Sequence, residues 1–201
     1  MNSIISLTGI LGSGARDGAI FFWDLKTGDL LTRHKAHAGP ISVIDNVFEP
    51  TTGNSQFLSG GADGTVKLWD HRERKHVQAN NIHGKAAVTA VISLGANGLV
   101  SSGADNAIVH MDVRRGLSVI ERYENARNSV YSLCSVGDGC VFAGDGSGML
   151  YCYDLVGYSG EIGLKYGIGA SEKGAVRCLL PVGQSSIVAA GEDGKILVFS
   201  Y

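Results

Sequence analysis

One twelve-residue segment occurs five times in this chain of 201 residues, and no other feature of the sequence limits the fold as strongly. The copies align without gaps and read SGARDGAIFFWD, SGGADGTVKLWD, SSGADNAIVHMD, AGDGSGMLYCYD and AAGEDGKILVFS. They end at residues 24, 70, 112, 154 and 200, so the period is 42 or 46 residues. Such a period indicates one supersecondary unit that stacks on copies of itself.

Each copy has the sequence pattern of a β-hairpin. Small residues lead into a turn pair, and alternating apolar residues follow it. The turn pairs are Asp17-Gly18, Asp63-Gly64, Asp105-Asn106, Ser147-Gly148 and Asp193-Gly194. Pairs of this kind are typical of hairpins because they tolerate the positive φ angles of tight turns. A further alternating segment precedes most hairpins and a shorter one follows, so the sequence predicts an all-β fold with about four short strands per unit.

Four strands in 40 to 45 residues are typical of one blade of a β-propeller. Particular residues make the likeness more specific: Trp23-Asp24, Trp69-Asp70, the turn aspartates 17, 63, 105 and 193, and the upstream His37 and His83. On these residues the chain resembles the WD-repeat propellers over essentially its whole length. The resemblance implies a single propeller region, residues 1–201, with blades at about 1–34, 35–80, 81–122, 123–166 and 167–201, the last without its outer strand.

The resemblance usually implies seven blades, so we expect these five to be part of a larger propeller. A five-bladed ring that closes Ser3–Leu7 directly against Lys195–Ser200 would contradict that expectation.

In WD-repeat proteins a histidine, a serine or threonine, an aspartate and a tryptophan commonly tie a blade together. Carried over to this chain, the set is complete once, as His37, Ser59, Asp63 and Trp69. Partial sets are His83, Ser101 and Asp105 in one unit, and Ser13, Asp17 and Trp23 in another. We interpret these ten residues as a structural network, since an unpaired buried polar group costs about 1–3 kcal/mol. Met111 replaces a tryptophan and Ser147 a turn aspartate, which puts the full set in doubt in those blades.

Serine, histidine and aspartate also build catalytic triads, which is the alternative for Ser59. A nucleophile needs an exposed hydroxyl and an oxyanion site, whereas Ser59 is expected inside a strand. The segment GSGARDG misses the dinucleotide pattern GxGxxG by one position, and the four cysteines include no CxxC pair. We therefore expect no enzyme, no cofactor and no metal site.

Charge and hydropathy limit the partners. The formal net charge is −2 and the pI about 6.3, which argues against a nucleic-acid partner. Glu73 interrupts the basic run at residues 71–76, which we interpret as a solvated outer-edge strand. The N-terminal apolar runs are too short for a signal peptide or a membrane span. The sequence thus indicates an intracellular protein of the cytoplasm, the nucleus or both, with no membrane partner.

The resemblance implies a non-catalytic scaffold that mediates protein–protein interactions, although a fold alone assigns no partner. We expect partners to meet the face where the hairpin turns and the loops before each first strand emerge. The candidates there are Arg16, Lys35, Lys85 and Arg127, with an arginine close to an aromatic such as Tyr123 as a typical anchor.

Two short segments favour a more specific alternative. Trp69-Asp70-His71-Arg72 and Met111-Asp112-Val113-Arg114 follow third strands. They are similar to the WDxR box with which some WD-repeat substrate receptors dock onto the adaptor of a cullin-based ubiquitin ligase. Arg72 and Arg114 would then face a partner, and the competing reading is an inter-blade ion pair or plain exposed charge. A third possibility is a structural subunit of a trafficking, ciliary or RNA-processing assembly.

Overall fold

The computed structural model describes residues 3–7, 9–47, 56–70, 72–73, 75–95, 97–136, 139–155, 163–183 and 185–201. Within these ranges the chain forms nineteen β-strands. They are β1 (Ser3–Leu7), β2 (Ile10–Gly14), β3 (Ala19–Asp24), β4 (Leu30–Lys35), β5 (Ile41–Asn46), β6 (Gln56–Gly61), β7 (Thr65–Asp70), β8 (His76–Asn81), β9 (Val88–Leu94), β10 (Gly98–Gly103), β11 (Ile108–Asp112), β12 (Ser118–Tyr123), β13 (Val130–Val136), β14 (Cys140–Asp145), β15 (Met149–Asp154), β16 (Gly163–Gly169), β17 (Val176–Val182), β18 (Ser186–Gly191) and β19 (Ile196–Ser200). A 3₁₀ turn at Val113–Arg115 follows β11.

Consecutive strands pair antiparallel into five separate sheets, which we call blades 1 to 5. Blades 1 to 4 have four strands each, and blade 5 has the three strands β17, β18 and β19. The all-β propeller prediction, with about five blades, is confirmed. The outer strands β4, β8, β12 and β16 end at Lys35, Asn81, Tyr123 and Gly169, one to three residues beyond the expected blade limits.

The hairpin turns use a single residue with positive φ. The second residue of each turn pair has this conformation, at Gly18 (79°), Gly64 (75°), Asn106 (64°), Gly148 (84°) and Gly194 (76°). In the first hairpin the Gly18 N–H closes the turn by donating to the carbonyl of Ala15 (3.1 Å). Only the second position of the pair therefore requires glycine or asparagine.

Apolar side chains fill the space between consecutive blades. Between blades 1 and 2, for example, Phe22 meets Phe57 edge to face at 5.4 Å, and Phe57 stacks on Trp69 at 6.0 Å. The inner strands β1, β5, β9, β13 and β17 pack in this order, each against the next. Within the described strands, β1 packs against neither β17 nor β19 in this way, so Ser3–Leu7 does not close against Lys195–Ser200.

Within the basic run at residues 71–76, the described residues Arg72, Glu73 and Lys75 belong to no strand, so the expectation of an outer-edge strand over this run was wrong for them. The outer strand β8 begins only at His76, while Arg72, Glu73 and Lys75 lie exposed before it. His71 and Arg74 lie outside the described residues. Three charged neighbours disfavour an ordered strand, and the pairing with β7 starts at His76, directly before the apolar Val77.

Candidate functional site

The four residues of the complete set meet inside blade 2. Trp69 Nε1–H donates to Ser59 Oγ (2.8 Å), and Ser59 Oγ lies 2.7 Å from His37 Nε2. His37 Nδ1 lies 2.9 Å from Asp63 Oδ1. The indole can only donate and the carboxylate can only accept, so the chain has one consistent direction, from Trp69 through Ser59 and His37 to Asp63.

Burial keeps the imidazole of His37 in this network uncharged. Desolvation lowers the pKa of His37 below 6.5, although the Asp63 carboxylate opposes the shift. For Asp63, burial acts in the opposite direction and raises the pKa. Hydrogen bonds from the Ala38 amide and from His37 outweigh this effect, so the pKa of Asp63 lies below 3.8. Near neutral pH the His37 imidazole is therefore neutral and the Asp63 carboxylate is ionised.

Blade 3 assembles the same network without its tryptophan. His83 Nε2 lies 2.8 Å from Ser101 Oγ, and His83 Nδ1 lies 2.8 Å from Asp105 Oδ1. Arg122 Nη2 donates to Asp105 Oδ2 (2.7 Å), while Met111 is fully buried in place of the indole. The serine hydroxyl therefore bonds the histidine without receiving an indole N–H.

Blade 1 has only part of the network. Trp23 Nε1–H donates to Ser13 Oγ (3.1 Å), but no histidine bonds that hydroxyl among the described residues. Asp17 pairs instead with Arg33 (2.7 Å) at the surface, where the two side chains are 50% and 56% exposed. These surface groups contribute little to stability because water screens them.

Blade 4 replaces the turn aspartate in a way that the repeat alignment did not show. Ser147 occupies the turn position, but Asp145, two residues earlier, supplies the carboxylate. Its oxygens accept hydrogen bonds from the Ser147 amide (2.9 Å), the Met149 amide (2.9 Å) and the Tyr151 hydroxyl (3.1 Å). Asp145 is fully buried, so the departure at Ser147 moves the carboxylate without removing it.

The geometry around Ser59 is that of a packed interior. Ser59 is 0% exposed and His37 2% exposed, and both partners of the hydroxyl are protein groups. Gly61 lies against the imidazole so closely that an added Cβ would stand 2.4 Å from His37 Nδ1. A substrate therefore has no path to this hydroxyl.

The aspartates that end β7 and β11 each pair with an exposed arginine two residues later, in matching geometry. Arg72 Nε and Nη2 donate to Asp70 Oδ1 (2.9 Å) and Oδ2 (2.6 Å). Arg114 Nε and Nη2 donate to Asp112 Oδ1 (3.1 Å) and Oδ2 (2.9 Å). We call these two pairs the arginine forks.

Each arginine fork joins a buried carboxylate to an exposed guanidinium. The carboxylate side chains of Asp70 and Asp112 are 9% exposed, and the side chains of Arg72 and Arg114 are 64% and 66% exposed. The bidentate contact raises the pKa of both guanidinium groups, which stay charged at any physiological pH. A fixed, exposed cation therefore stands at the same position of two adjacent blades. In blade 1, Asp24 instead accepts from the Lys26 and Thr27 amides and forms no such fork.

The four cations proposed for the loop face are exposed, and none of them stacks on an aromatic ring of the described residues. Lys35 Nζ donates to the carbonyl of Asp17, and the Arg127 amide donates to the Tyr151 hydroxyl (3.1 Å). Arg16 and Lys85 extend to solvent. Tyr123 is only 9% exposed, so the expectation that it serves as an aromatic anchor was wrong.

A cation–aromatic pair that sequence reasoning missed lies at the start of two inner strands. The Arg177 guanidinium stacks over the Tyr131 ring at 4.2 Å and also pairs with Glu192. Both residues take the second position of their strands, β13 and β17, so an alignment of the inner strands brings them to one register. This shared position is the one signal in the sequence, whereas the contact itself depends on how the two blades pack.

Comparisons with known proteins agree with this architecture. Residues 28–70 match the WD domain, G-beta repeat. The WD repeat-containing protein 55 homolog of Drosophila ananassae is 27% identical over 189 residues, which cover 90% of this chain and 36% of that protein. The solved WD40 β-propeller domain of Doa1 superposes with a TM-score of 0.81 at 20% identity, covering 98% of this chain and 62% of the other.

Residues 28–70 thus carry a WD repeat, and the chain has a β-propeller fold. Eukaryotic translation initiation factor 3 subunit I of Nematostella vectensis is 34% identical to this chain over 111 residues, 52% of the chain and 33% of that protein. The chain thus spans about a third of the length of these two curated relatives. Within its described residues, no helix is long and apolar enough to cross a membrane, and no three His, Cys, Asp or Glu side chains group as metal ligands.

Proposed function

We propose that this WD-repeat chain is a non-catalytic scaffold that binds other proteins inside a multiprotein complex. The observation that carries the proposal is the contrast between the blade networks and the arginine forks. Ser59, His37 and Asp63 bond one another in the interior, whereas Arg72 and Arg114 hold charged groups out to solvent. A relative named as a subunit of translation initiation factor 3 supports a place in an assembly inside the cell.

The arginine forks favour one specific class of partner, the adaptor of a cullin-based ubiquitin ligase. Each fork leaves its guanidinium oriented by the aspartate, so little side-chain freedom is lost when a partner carboxylate or carbonyl binds it. The sequence around Arg72 has the whole WDxR pattern, and Met111 departs from it around Arg114. The wider alternative, a structural subunit of a trafficking, ciliary or RNA-processing assembly, needs no particular role for the forks.

Co-purification with quantitative mass spectrometry tests both proposals. The variants are Arg72→Ala and Arg114→Ala, with Arg115→Ala as the matched control. Arg115 lies in the same connection as Arg114, is 81% exposed and only approaches Asp112 at 4.0 Å. We expect recovery of the ligase adaptor to fall at least tenfold for Arg72→Ala and to remain at the parent level for Arg115→Ala. The Tm of Arg72→Ala should fall only slightly, because the backbone amide of residue 72 still donates to Asp70 Oδ1 (3.0 Å).

The outcomes separate the three functions. Capture of an adaptor that Arg72→Ala does not weaken, or no adaptor at all, contradicts docking through the forks. A stable set of other proteins in place of the adaptor supports the structural-subunit alternative. If the chain purifies with no reproducible partner, the scaffold proposal itself fails.

A further inference from the structure

A groove opens between the outer strands of blades 3 and 4, and we call it the blade 3–4 groove. Its cavity measures about 430 Å³, within the range of ligand sites in proteins. Six of the residues that line it are His110, Ile120, Glu121, Tyr123, Leu155 and Leu164. Blade 3 also packs against blade 2, and blade 4 against blade 5, so the groove lies within the row of blades.

An imidazole and a carboxylate oppose each other here, where blade 2 has no ionisable group. His110 pairs in register with Glu121 beside a bulge, and the same position of blade 2 pairs Leu68 with Gln78. In blade 1, Phe22 takes the position of His110. Phe22 and Leu68 are at most 4% exposed and pack into the contact with the next blade. The structural pattern of the repeat therefore does not account for His110 and Glu121.

The two groups do not satisfy each other. In the part of the chain that the structure describes, no ion pair or side-chain hydrogen bond joins His110 to Glu121, and Glu121 Oε1 accepts from the Arg122 amide (3.3 Å). Burial lowers the pKa of His110 below 6.5, so its imidazole is neutral near neutral pH. The groove therefore offers a carboxylate and an unprotonated ring nitrogen, and both can accept hydrogen bonds.

The charge of Glu121 is not compensated within the described residues, whereas that of Glu124 is. Arg122 donates through Nε to Glu124 (2.8 Å) and through Nη2 to Asp105 (2.7 Å). Its Nη1 donates to the carbonyl of Ile82 (3.1 Å). No lysine or arginine is among the described residues that line the groove. A cation from outside would therefore find an acceptor there that its own chain does not use.

Apolar side chains surround this charge. Ile120 and Leu164 are 53% and 40% exposed, while Leu155 and the ring of Tyr123 are 4% and 9% exposed. The groove thus has apolar walls both at the surface and in its interior. Walls of this kind suit a flexible aliphatic stem that carries a charged group at its end.

We propose that the blade 3–4 groove binds an arginine or lysine side chain of a partner protein. Its charged group donates to the Glu121 carboxylate and to the His110 imidazole, and its stem packs on Ile120 and Leu164. Charge complementarity favours this occupant over an acidic segment, which Glu121 would repel. This inference rests on the proposed scaffold function, and it specifies the chemistry that one surface recognises.

Site-specific photo-crosslinking in cells tests the groove in the full chain. Benzoylphenylalanine is introduced at position 164 and, as the control, at position 119, which has the same register in blade 3 as Leu164 has in blade 4. Position 119 adjoins blade 2, where Leu68 and Gln78 replace the imidazole and the carboxylate. We expect a yield at least tenfold higher at position 164, to a segment of another protein that contains arginine or lysine.

A change of charge shows whether Glu121 makes the contact. Glu121→Gln keeps the shape of the side chain and should lower the crosslink yield at position 164 at least tenfold. The matched variant Glu124→Gln, whose carboxylate side chain is 69% exposed and does not line the groove, should leave the yield unchanged. Both glutamates are exposed, so thermal melts should show little change in Tm for either variant.

A synthetic peptide of the crosslinked segment then identifies the side chain that binds. Isothermal titration calorimetry with the purified chain should give a Kd at least tenfold higher when norleucine replaces the arginine or lysine of the peptide. Norleucine keeps an aliphatic stem and lacks the charge. Combined with Glu121→Gln, the norleucine peptide should bind about as weakly as it binds the parent, because both changes remove the same contact.

Several results would overturn the assignment. They are a yield at position 164 no higher than at position 119, a crosslink to a second copy of this chain or within the same polypeptide, a crosslinked segment without arginine or lysine, and a yield that Glu121→Gln leaves unchanged. If the groove fails while partners that depend on Arg72 still co-purify, only this site is wrong. If both are lost, the scaffold function is contradicted as well.

Discussion

Replacing Ser59 by alanine removes the central atom of the blade 2 network. The Ser59 hydroxyl, fully buried, connects Trp69 Nε1 and His37 Nε2 at 2.8 and 2.7 Å. Ser59→Ala leaves the indole donor and the imidazole acceptor without a partner. A buried group that loses its partner costs about 1–3 kcal/mol, so we expect a total loss of about 3 kcal/mol.

Two serines at equivalent positions provide a graded comparison. Ser101→Ala leaves only His83 Nε2 without a partner, for an expected loss of about 1.5 kcal/mol. Ser13→Ala affects only Trp23, whose partly exposed indole can bind water instead, for about 0.5 kcal/mol. The structure therefore predicts the order Ser59, Ser101, Ser13 for the decrease in stability.

Urea denaturation followed by circular dichroism measures these differences, and thermal melts give an independent check. For a chain of this length, 1 kcal/mol corresponds to about 2–4 °C in Tm, so Ser59→Ala should melt about 6–12 °C below the parent. Equal losses for the three variants, or a larger loss for Ser13→Ala than for Ser59→Ala, would refute the reasoning from hydrogen-bond satisfaction.

Two further predictions concern the same histidines. Because burial lowers the folded-state pKa of His37 and His83 below 6.5, the unfolded chain binds more protons, and stability should fall as the pH drops below about 6.5. The free energy of unfolding can change by up to about 1.4 kcal/mol per pH unit for each histidine. Thermal melts between pH 7.5 and 5 measure this change. A Tm that does not depend on pH in this range would contradict neutral, buried histidines. Gly61→Ala should destabilise blade 2 by about 2 kcal/mol or more, since the added Cβ would stand 2.4 Å from His37 Nδ1. If this variant unfolds at the same urea concentration as the parent, the close approach is contradicted.

The blades could be predicted from the sequence because their signals are local. The five hairpin copies each contain the turn pair and the alternating strand, and strand pairing follows from a single short turn. Long-range geometry was not needed for any of these features.

Other parts of the site depend on how blades meet, which a repeat alignment does not contain. Asp145 reaches the blade 4 turn from the end of β14, although the alignment places Ser147 there. Tyr123 is buried against Tyr153 of the next blade (5.1 Å), and the Arg177–Tyr131 pair likewise joins two blades. Contacts of this kind follow from the packing of one sheet on another and have no local pattern.

The basic run illustrates a different limit. Charge alone suggested an outer-edge strand over residues 71–76, but Arg72 folds back onto Asp70 and the strand starts at His76. A bidentate contact over two residues requires the chain to turn at that point. The WDxR spacing was visible in the sequence, whereas the bidentate contact between its arginine and its aspartate was not.

The central claim is that interior polar residues hold the blades together while exposed residues bind partners. The most direct test measures Tm and the Kd of an identified partner for Ser59→Ala and Arg72→Ala at a temperature well below both melting points. We predict that Ser59→Ala lowers Tm and keeps the parent Kd, whereas Arg72→Ala lowers Tm much less than Ser59→Ala does and raises Kd at least tenfold. A folded Ser59→Ala protein that no longer binds, together with an Arg72→Ala protein that binds like the parent, would contradict the claim.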